Sequence, residues 1–499
     1  MMSSWSTYQS WIPLLAILVS LAAVPLIILS SRRPNLREFW TIGAGVGKFA
    51  LVFSLLPPLF QHRLAVLNLG EIVTGVPFAL KADAVGVFFA LIASFLWILT
   101  SFYSIGYVRG LSEHKQTRYF AYFAVCLSST IGIAFSANLA TFIIFYEILT
   151  IATYPLVIHK ETEEAIRAGR KYLAYTLTAG VFLIAAATWT YLLTGSLDFI
   201  PGGLLQNTPL GSQTAVTLFV LFMFGVGVKA AIMPLHSWLP TAMAAPTPVS
   251  ALLHAVAVVK SGVFGVIRVS EFTFGPQLLK DYHLDSILLV GASATIILAS
   301  FLALKEDNLK RRLAYSTVAH LSYIVLGVGL VSSAALLGGM LHLAFHATMK
   351  ITLFFCAGAI YVHLHKEKVS ELDGIGQAMP WTMGAFAVGS LGLVGLPPVN
   401  GWLSKWCLGW GSVTAERPLF LIVLILSGLL NAAYFFPIVY RAFFRPAKEK
   451  YSGEASPLMV VPLVITAGLS IFFGIFPDVG FKLFQLAKEA AILLFGGLR

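Results

Sequence analysis

The chain has 499 residues, of which 58% are hydrophobic and only 11% are charged. A soluble domain does not need so much apolar surface, so the composition excludes that class and predicts an all-α, polytopic membrane protein. The net charge of +11 comes from basic residues in the loops between apolar runs, which favours contact with a lipid bilayer and not with nucleic acid.

Apolar runs of about 20 residues follow one another along the chain, and each is long enough to cross a bilayer. The first run is too long for a signal-peptide core and lacks a small-residue cleavage pattern, so we expect it to remain as a span. The runs predict about fourteen transmembrane helices, at 10–30, 38–59, 83–108, 117–137, 138–158, 167–193, 213–236, 247–270, 285–304, 309–331, 335–362, 382–411, 417–441 and 457–476.

Basic residues are concentrated in the odd-numbered loops, for example Arg32 and Arg33 after span one. The positive-inside rule therefore places these loops in the cytoplasm and both termini on the outer side. Residues 480–499 put Lys482, Gln485 and Lys488 opposite a broad apolar face. This pattern predicts an amphipathic helix that lies on the membrane surface or on a neighbour.

Two spans contain helix breakers beside a lysine: Lys229 precedes Pro234 in span seven, and Pro397 and Pro398 precede Lys405 in span twelve. A helix broken at membrane depth needs protein or a wet cavity to satisfy its freed carbonyls. Because the breaks lie an odd number of spans apart, we predict two inverted five-helix repeats, each with a broken helix. The predicted segments are N-terminal helices at 1–112, repeats at 113–278 and 279–444, and a last span plus the amphipathic helix at 445–499.

Charged side chains lie at membrane depth in several predicted spans. Glu147, Lys260 and Lys350 lie near the bilayer centre, and Lys229 and Lys405 lie beside the breaks. A single such lysine is often a helix-end residue whose stem reaches the headgroups, but five deep charges indicate an ion pathway. Burial disfavours an ammonium and a carboxylate favours it, so Lys229 facing Glu147 would hold a proton in a closed pair and release it on separation.

Histidines accompany these lysines. In LHLAFHATMKITLFFCAG, His342, His346 and Lys350 recur every four residues and therefore share one helix face. Imidazole titrates near neutrality and both ring nitrogens transfer protons, so these residues, His254 and His320 are predicted proton relays. The alternative is metal or haem ligation, but lysine fits zinc poorly and bis-histidine haem needs histidines on facing helices.

The sequence shows no ligand set for a cofactor. Cys126, Cys356 and Cys407 are scattered within predicted spans and form no CxxC pair, so no disulfide, iron–sulfur or zinc site is indicated. Glycine-rich patches such as GVFGVIR lack the spacing of nucleotide-binding loops. We therefore predict no cofactor and no metal, and we expect any redox centre to belong to a partner.

Several long motifs resemble those of the antiporter-like, proton-translocating membrane subunits of respiratory complex I, Mrp-type cation/proton antiporters and membrane-bound hydrogenases. They cover nearly the whole chain and are KAAIMPLHSWLPTAMAAPTPVSALLHAVAVVKSGVFGVIR, KEDNLKRRLAYSTVAHLSYI, HLAFHATMKITLFFCAG, ELDGIGQAMPWT and GLPPVNGWLSK. By this resemblance, the family's central axis falls on Glu147, Lys229, Lys260 and Lys405. Its histidine and lysine relays fall on His254, His342, His346 and Lys350. One departure is LPTAM, where the family often has LPDAH.

The loop HKETEEAIRAGRKYL and the modest length are most similar to the D-type member of the Mrp antiporter subunits. The resemblance implies a proton-translocating subunit of a Na⁺ or K⁺:proton antiporter in a bacterial inner membrane, with other membrane subunits as partners and no redox centre of its own. The alternative is a proton-pumping subunit of a complex I-type NADH:quinone oxidoreductase or a membrane-bound hydrogenase. An enzyme that itself carries NADH or quinone chemistry, and a scaffold that conducts nothing, are less favoured.

Overall fold

The computed structural model describes residues 5–447, 451 and 453–495, and only the backbone of residues 253–255. Helices dominate this part of the chain, and ten of the described helices are long and apolar enough to cross a membrane. Each of the fourteen predicted spans coincides with one helix or with a pair of helices. This agrees with the predicted polytopic architecture, while the inverted repeats and the four segments stay predictions.

Eight helices, α1 to α8, precede the first predicted break in the described part of the chain. The side chains of Asp83, Asn138 and Thr162 cap three of them by accepting a backbone N–H of the first turn. The bounds are α1 (Ile12–Leu29), α2 (Pro34–Phe53), α3 (Leu56–Phe60), α4 (Ala84–Gly110), α5 (Gln116–Phe135), α6 (Leu139–Val157), α7 (Glu163–Thr194) and α8 (Ser212–Gly227).

The helices of the second half pack around α15, whose membrane segment is buried throughout. Its neighbours include α4, α10, α14, α17, α18 and α20. The bounds are α9 (Trp238–Thr241), α10 (Thr247–Ala255), α11 (Val258–Ile267) with a π-helix (Arg268–Phe274), α12 (Pro276–Asp281), α13 (Leu284–Lys305), α14 (Leu309–Gly329), α15 (Ser333–Leu364), α16 (Ile375–Ala378), α17 (Pro380–Val394), α18 (Gly401–Thr414), α19 (Leu419–Phe444), α20 (Pro457–Ile475) and α21 (Leu483–Phe495). Two short 3₁₀ turns lie at Ala242–Ala244 and Val369–Glu371.

Both predicted breaks are present. Regular helix stops at the end of α8 and resumes only at α9, so Lys229 lies in the turn between them. Likewise α17 ends before Gly395, which has a φ of +99°, and α18 begins at Gly401. Glycine adopts this left-handed conformation without the strain that a side chain would add. Each break is therefore encoded by local residues.

A third break, in span eight, was not predicted. α10 ends at Ala255 and α11 begins at Val258, so Lys260 lies in the first turn of a new helix. The intervening sequence has neither proline nor glycine, and it therefore carries no local signal for a break. The break places a titratable residue at a helix start inside the membrane segment.

A small three-stranded sheet accompanies the predicted all-α architecture. β1 (Ser6–Gln9) pairs in parallel with β2 (Arg63–Val73), and β2 pairs antiparallel with β3 (Val76–Ala82). The turn from β2 to β3 contains Gly75 at φ +81°. β2 and β3 lie directly between α3 and α4, so their alternating pattern was hidden between two apolar runs.

The predicted amphipathic helix at the C-terminus packs against other helices of the same chain. α21 contacts α4 and α15 and buries Leu483, Leu486 and Ala490 among its apolar residues. Its three predicted polar residues are exposed. These contacts agree with the predicted packing on a neighbouring helix, and contact with the membrane surface stays a prediction.

Candidate functional site

Lys229 is fully buried in the turn after α8. Its ammonium donates a hydrogen bond to the Tyr146 carbonyl of α6, with Nζ and O 2.6 Å apart, and lies 3.3 Å from the centre of the Tyr146 ring. The next residue of α6, Glu147, interacts electrostatically with Lys229, but the ion pairs of the described residues do not include this pair. The predicted Lys229–Glu147 switch is therefore in an open arrangement.

Glu147 faces α7, where Gly180 leaves room for its carboxylate. A Cβ on Gly180 would lie 2.7 Å from Glu147 Oε1. This oxygen is buried and has no hydrogen-bond partner within the described part of the chain. A buried carboxylate oxygen without a partner is costly, so it is available to a proton or a cation.

Lys260 and His346 are in direct contact. Lys260 Nζ in α11 and His346 Nδ1 in α15 are 2.9 Å apart, and both side chains are buried. An ammonium only donates hydrogen bonds, so Nδ1 accepts and a neutral imidazole carries its proton on Nε2. That Nε2 has no partner among the described residues.

A row of hydrogen bonds connects α19 to α18 through two histidines. Asn431 Nδ2 lies 3.0 Å from the Leu393 carbonyl and 3.1 Å from His320 Nε2. His320 Nδ1 lies 3.1 Å from His342 Nε2, and His342 Nδ1 lies 3.0 Å from Ser404 Oγ. Because an amide nitrogen only donates, His320 Nε2 accepts from Asn431. His320 Nδ1–H then donates to His342 Nε2, and His342 Nδ1–H donates to Ser404 Oγ.

Asn431 and Ser404 were not predicted, although a polar residue inside an apolar span was a usable signal. The orientation of the Asn431 amide follows from its partners. The Tyr434 hydroxyl donates to Asn431 Oδ1, and a backbone carbonyl accepts from Nδ2. The tautomers of the row are assigned from these donors and acceptors.

The three histidines also pack as a cluster. The His320 ring centre lies 5.3 Å from that of His342 and 5.4 Å from that of His346. The Tyr323 ring lies 5.0 Å from both His320 and His342. The Lys260–His346 pair and the hydrogen-bonded row are therefore in ring contact, with no hydrogen bond between them among the described residues.

The other two lysines satisfy backbone carbonyls. Lys350 Nζ donates to the Leu313 carbonyl of α14 at 3.1 Å. Lys405 Nζ donates to the last two carbonyls of α17, at 2.7 and 2.8 Å, which the break leaves without helical partners. Lys405 also lines an apolar groove of about 570 Å³ between α18 and α19. The lysine thus stabilises the broken helix and remains partly accessible.

Most of the predicted site residues form two groups, and Lys350 instead donates to the Leu313 carbonyl. Lys260, His320, His342 and His346 are in contact with one another, and Lys405 adjoins them through Ser404 and Tyr323. Glu147 and Lys229 form a separate group, which α11 approaches through backbone packing. The side chain of His254 lies outside the described residues.

Residues of the LPTAM motif, where the chain departs from the family's LPDAH, line a polar cavity of about 590 Å³. Lys171 of α7 donates to Thr241 Oγ1 at 3.1 Å, and Met243 lies on the same wall. Lys310 donates to the Ala245 carbonyl at 2.8 Å on the far side. Lysine side chains therefore line this mouth of span seven, where the family often has an acid and a histidine.

Other buried charges were missed. Arg268 of the π-helix pairs with Asp83 through two bonds, Nη1–Oδ2 2.6 Å and Nη2–Oδ1 2.8 Å. Lys48 Nζ and both carboxylate oxygens of Glu271 are buried without a partner in the described part of the chain. The sequence carried the same signal for these residues as for the predicted lysines, namely a charged residue inside an apolar run.

A family model described as "NADH:quinone oxidoreductase/Mrp antiporter, TM" matches residues 136–430. The chain belongs to this family. This member of the NADH:quinone oxidoreductase/Mrp antiporter family is 30% identical over 407 residues to NADH-quinone oxidoreductase subunit N of Desulforudis audaxviator, covering 78% of this chain and 80% of that protein.

Two further relatives are longer than this chain. Over 421 residues it is 30% identical to hydrogenase-4 component B of Escherichia coli, covering 79% of this chain and 62% of that protein. Over 440 residues it is 30% identical to Na⁺/H⁺ antiporter subunit A1 of Staphylococcus aureus, covering 81% of this chain and 53% of that protein.

Two solved structures share the fold. A chain of the Mrp complex from a Dietzia species superposes with a TM-score of 0.86 at 19% identity, covering 97% of each chain. A chain of the membrane-bound sulfane sulfur reductase, an archaeal respiratory membrane complex, gives 0.87 at 21%, covering 97% of this chain and 98% of that one. The predicted family is confirmed, and the chain is an antiporter-like, multi-pass membrane subunit.

Proposed function

We propose that this chain translocates protons along a path formed by Glu147, Lys229, Lys260, the three clustered histidines and Lys405, with Lys350 beside it. The observation that carries the proposal is the buried row His320–His342–Ser404, which touches the Lys260–His346 pair. Titratable groups are rare in apolar spans unless they serve transport. A connected set of them on four helices is difficult to explain as packing.

The row has a defined direction. The Asn431 amide donates to His320 Nε2 and disfavours a second proton there, so Asn431 holds His320 in its neutral form. A proton on the row therefore moves between His320 Nδ1 and Ser404. Because Ser404 precedes Lys405 in α18, this end is where we place exchange with the lysine of the second break.

The Lys229–Glu147 group supplies the switch. In the open arrangement the Lys229 ammonium is held by one carbonyl and a ring face, which compensate less for burial than a carboxylate would. Closing the pair would favour a charged Lys229, and opening it would favour release of the proton. Proton transfer to Lys260 would follow the open state.

We propose an Mrp-type Na⁺ or K⁺:proton antiporter as the complex, with other membrane subunits as partners, in a bacterial plasma membrane and with both termini outside. Coverage of 97% of a chain of the Mrp complex and the identity to an antiporter subunit support it. The second candidate is a redox-driven pump, because the NADH-quinone oxidoreductase relative matches over 80% of its length.

Vesicles that hold the whole complex test both points. With Lys260→Ala, we expect proton movement to fall by about 100-fold, as for loss of a proton-transfer group. Lys280→Ala, at an exposed lysine at the end of α12, is the matched control and should transport normally. Normal transport by Lys260→Ala would overturn the proposal. Proton movement that follows a Na⁺ or K⁺ pulse identifies an antiporter, and movement that follows an electron donor identifies a redox pump.

A further inference from the structure

Three potential metal ligands meet on two loops away from the buried path. Glu113 and His114 lie in the α4–α5 loop, and His159 lies in the α6–α7 loop. One ligand atom from each residue lies within 4.8 Å of the other two. Glu113 Oε2 is 4.0 Å from His159 Nε2, and the two imidazole ring centres are 5.1 Å apart.

His159 is the residue that points to a ligand. Its side chain is 0% exposed, and neither ring nitrogen has a partner of normal hydrogen-bond geometry among the described residues, the His114 backbone being a weaker electrostatic neighbour of the ring. Buried imidazole nitrogens are normally paired, because an unpaired one loses its hydration without compensation. Nε2 faces the Glu113 carboxylate, and His114 is exposed at the mouth of the cluster. A cation bound between them would satisfy His159 and be reachable from water.

We propose that Glu113, His114 and His159 bind a zinc-class transition-metal dication, with the fourth position open to water. Two imidazoles and one carboxylate suit Zn²⁺, whereas Ca²⁺ and Mg²⁺ prefer oxygen ligands. Bonds of about 2.0–2.2 Å put tetrahedral ligand atoms roughly 3.3 Å apart, so the cluster must contract by about 1.5 Å. The exposed His114 side chain can make most of that movement.

The neighbouring charges set the strength of binding. Glu161 pairs with Lys115 at 2.7 Å and with Arg118 at 2.6 Å; we call these three residues the loop clasp. The clasp carries one net positive charge and Glu113 one negative charge, so the cluster is close to neutral before a metal binds. We therefore expect weaker binding than at a closed structural zinc site. Glu161 Oε2 lies 3.8 Å from His114 Nε2, which makes it a further ligand if the clasp opens.

The site has a consequence for transport. A bound metal would join the loops at the two ends of the α5–α6 unit, and α6 carries Tyr146 and Glu147. Holding these loops together would restrict movement of α6 relative to Lys229. We therefore expect the metal to slow proton transport without taking part in it.

The purified chain, treated with a chelator and then titrated with Co²⁺ or Zn²⁺, tests the site. We expect one metal per chain, with the visible absorption of tetrahedral Co²⁺. Glu113→Gln and His114→Ala should weaken binding by at least about 10-fold, and neither change is in the core. His283→Asn, at an exposed histidine with φ +54°, is the control because asparagine tolerates that conformation.

His159→Ala removes a buried side chain, so its unfolding midpoint is measured beside its metal affinity. If Glu113→Gln and His114→Ala bind metal as the unchanged chain does, or if the unchanged chain binds none, the proposal is overturned. Metal binding is read without transport. If the variants lose the metal but proton movement is intact, the proposed function stands. If the chain binds the metal but Lys260→Ala transports protons normally, the metal site stands and the proposed function fails.

Discussion

Gly262 of α11 packs against the turn that holds Lys229, which makes Gly262→Ala an informative change. α11 crosses the turn that holds Lys229, and a Cβ on Gly262 would lie 2.8 Å from the Ala230 Cα and closer still to the peptide before it. Ordinary carbon contacts are about 3.5–4.0 Å, so one backbone must retreat by roughly 1 Å. No rotamer change relieves a clash with backbone, and such overpacking costs about 1–3 kcal/mol.

A shift of this size also disturbs the proton path. The Lys229–Tyr146 bond of 2.6 Å would lengthen beyond the usual limit of about 3.2 Å, and Lys260, two residues before Gly262, would move relative to His346. We expect a lower unfolding midpoint in detergent and slower proton movement in vesicles. Gly43→Ala is the matched control, because its Cβ meets nothing within 4 Å and alanine favours the helix by about 1 kcal/mol. If both variants behave alike, α11 does not pack on this turn as described.

The buried pair of Arg268 and Asp83 predicts that Arg268→Met lowers the free energy of unfolding by about 3–5 kcal/mol. Arg311→Met, in an exposed ion pair, should cost less than about 1 kcal/mol, and equal unfolding midpoints would refute the distinction. Ser404→Ala leaves a buried imidazole N–H unpaired, at about 1–3 kcal/mol, and should slow proton movement without disturbing assembly; normal transport would remove Ser404 from the path. Hydrogen bonds from the lysine and the arginine of the loop clasp hold the pKa of Glu161 at about 2. Because this pKa is depressed on folding, the clasp is intact above about pH 4.5 and opens only as the pH falls toward 2. The rate of tryptic cleavage at the clasp, divided at each pH by the rate for an unstructured reference peptide, should therefore be equal at pH 8 and pH 6, and Glu161→Gln should accelerate cleavage at both.

The spacing of His342, His346 and Lys350 predicted one helix face correctly, but not one shared partner. His342 contacts His320 and Ser404, His346 contacts Lys260, and Lys350 donates to a carbonyl of α14. A 3.6-residue period specifies which side chains share a face, and nothing in it specifies the helices that this face meets.

The amino-acid sequence alone determined the helical spans and two of their breaks. A bilayer requires about 20 apolar residues per crossing, and proline and glycine act within one turn of their own position. The break before Lys260 was not predicted because it has no local sequence signal. The three-stranded sheet was not predicted because its alternating pattern is hidden among apolar runs.

Only the tertiary structure decided which charged groups meet. Lys260 is hydrogen-bonded to His346, and Lys229 is hydrogen-bonded to the Tyr146 carbonyl instead of pairing with Glu147. The Glu113 carboxylate lies beside His159 of another loop. Each contact joins segments that are distant in the chain, and a hydrogen bond fails within about 1 Å of displacement. Such precision depends on how whole helices pack, which no short stretch of sequence encodes.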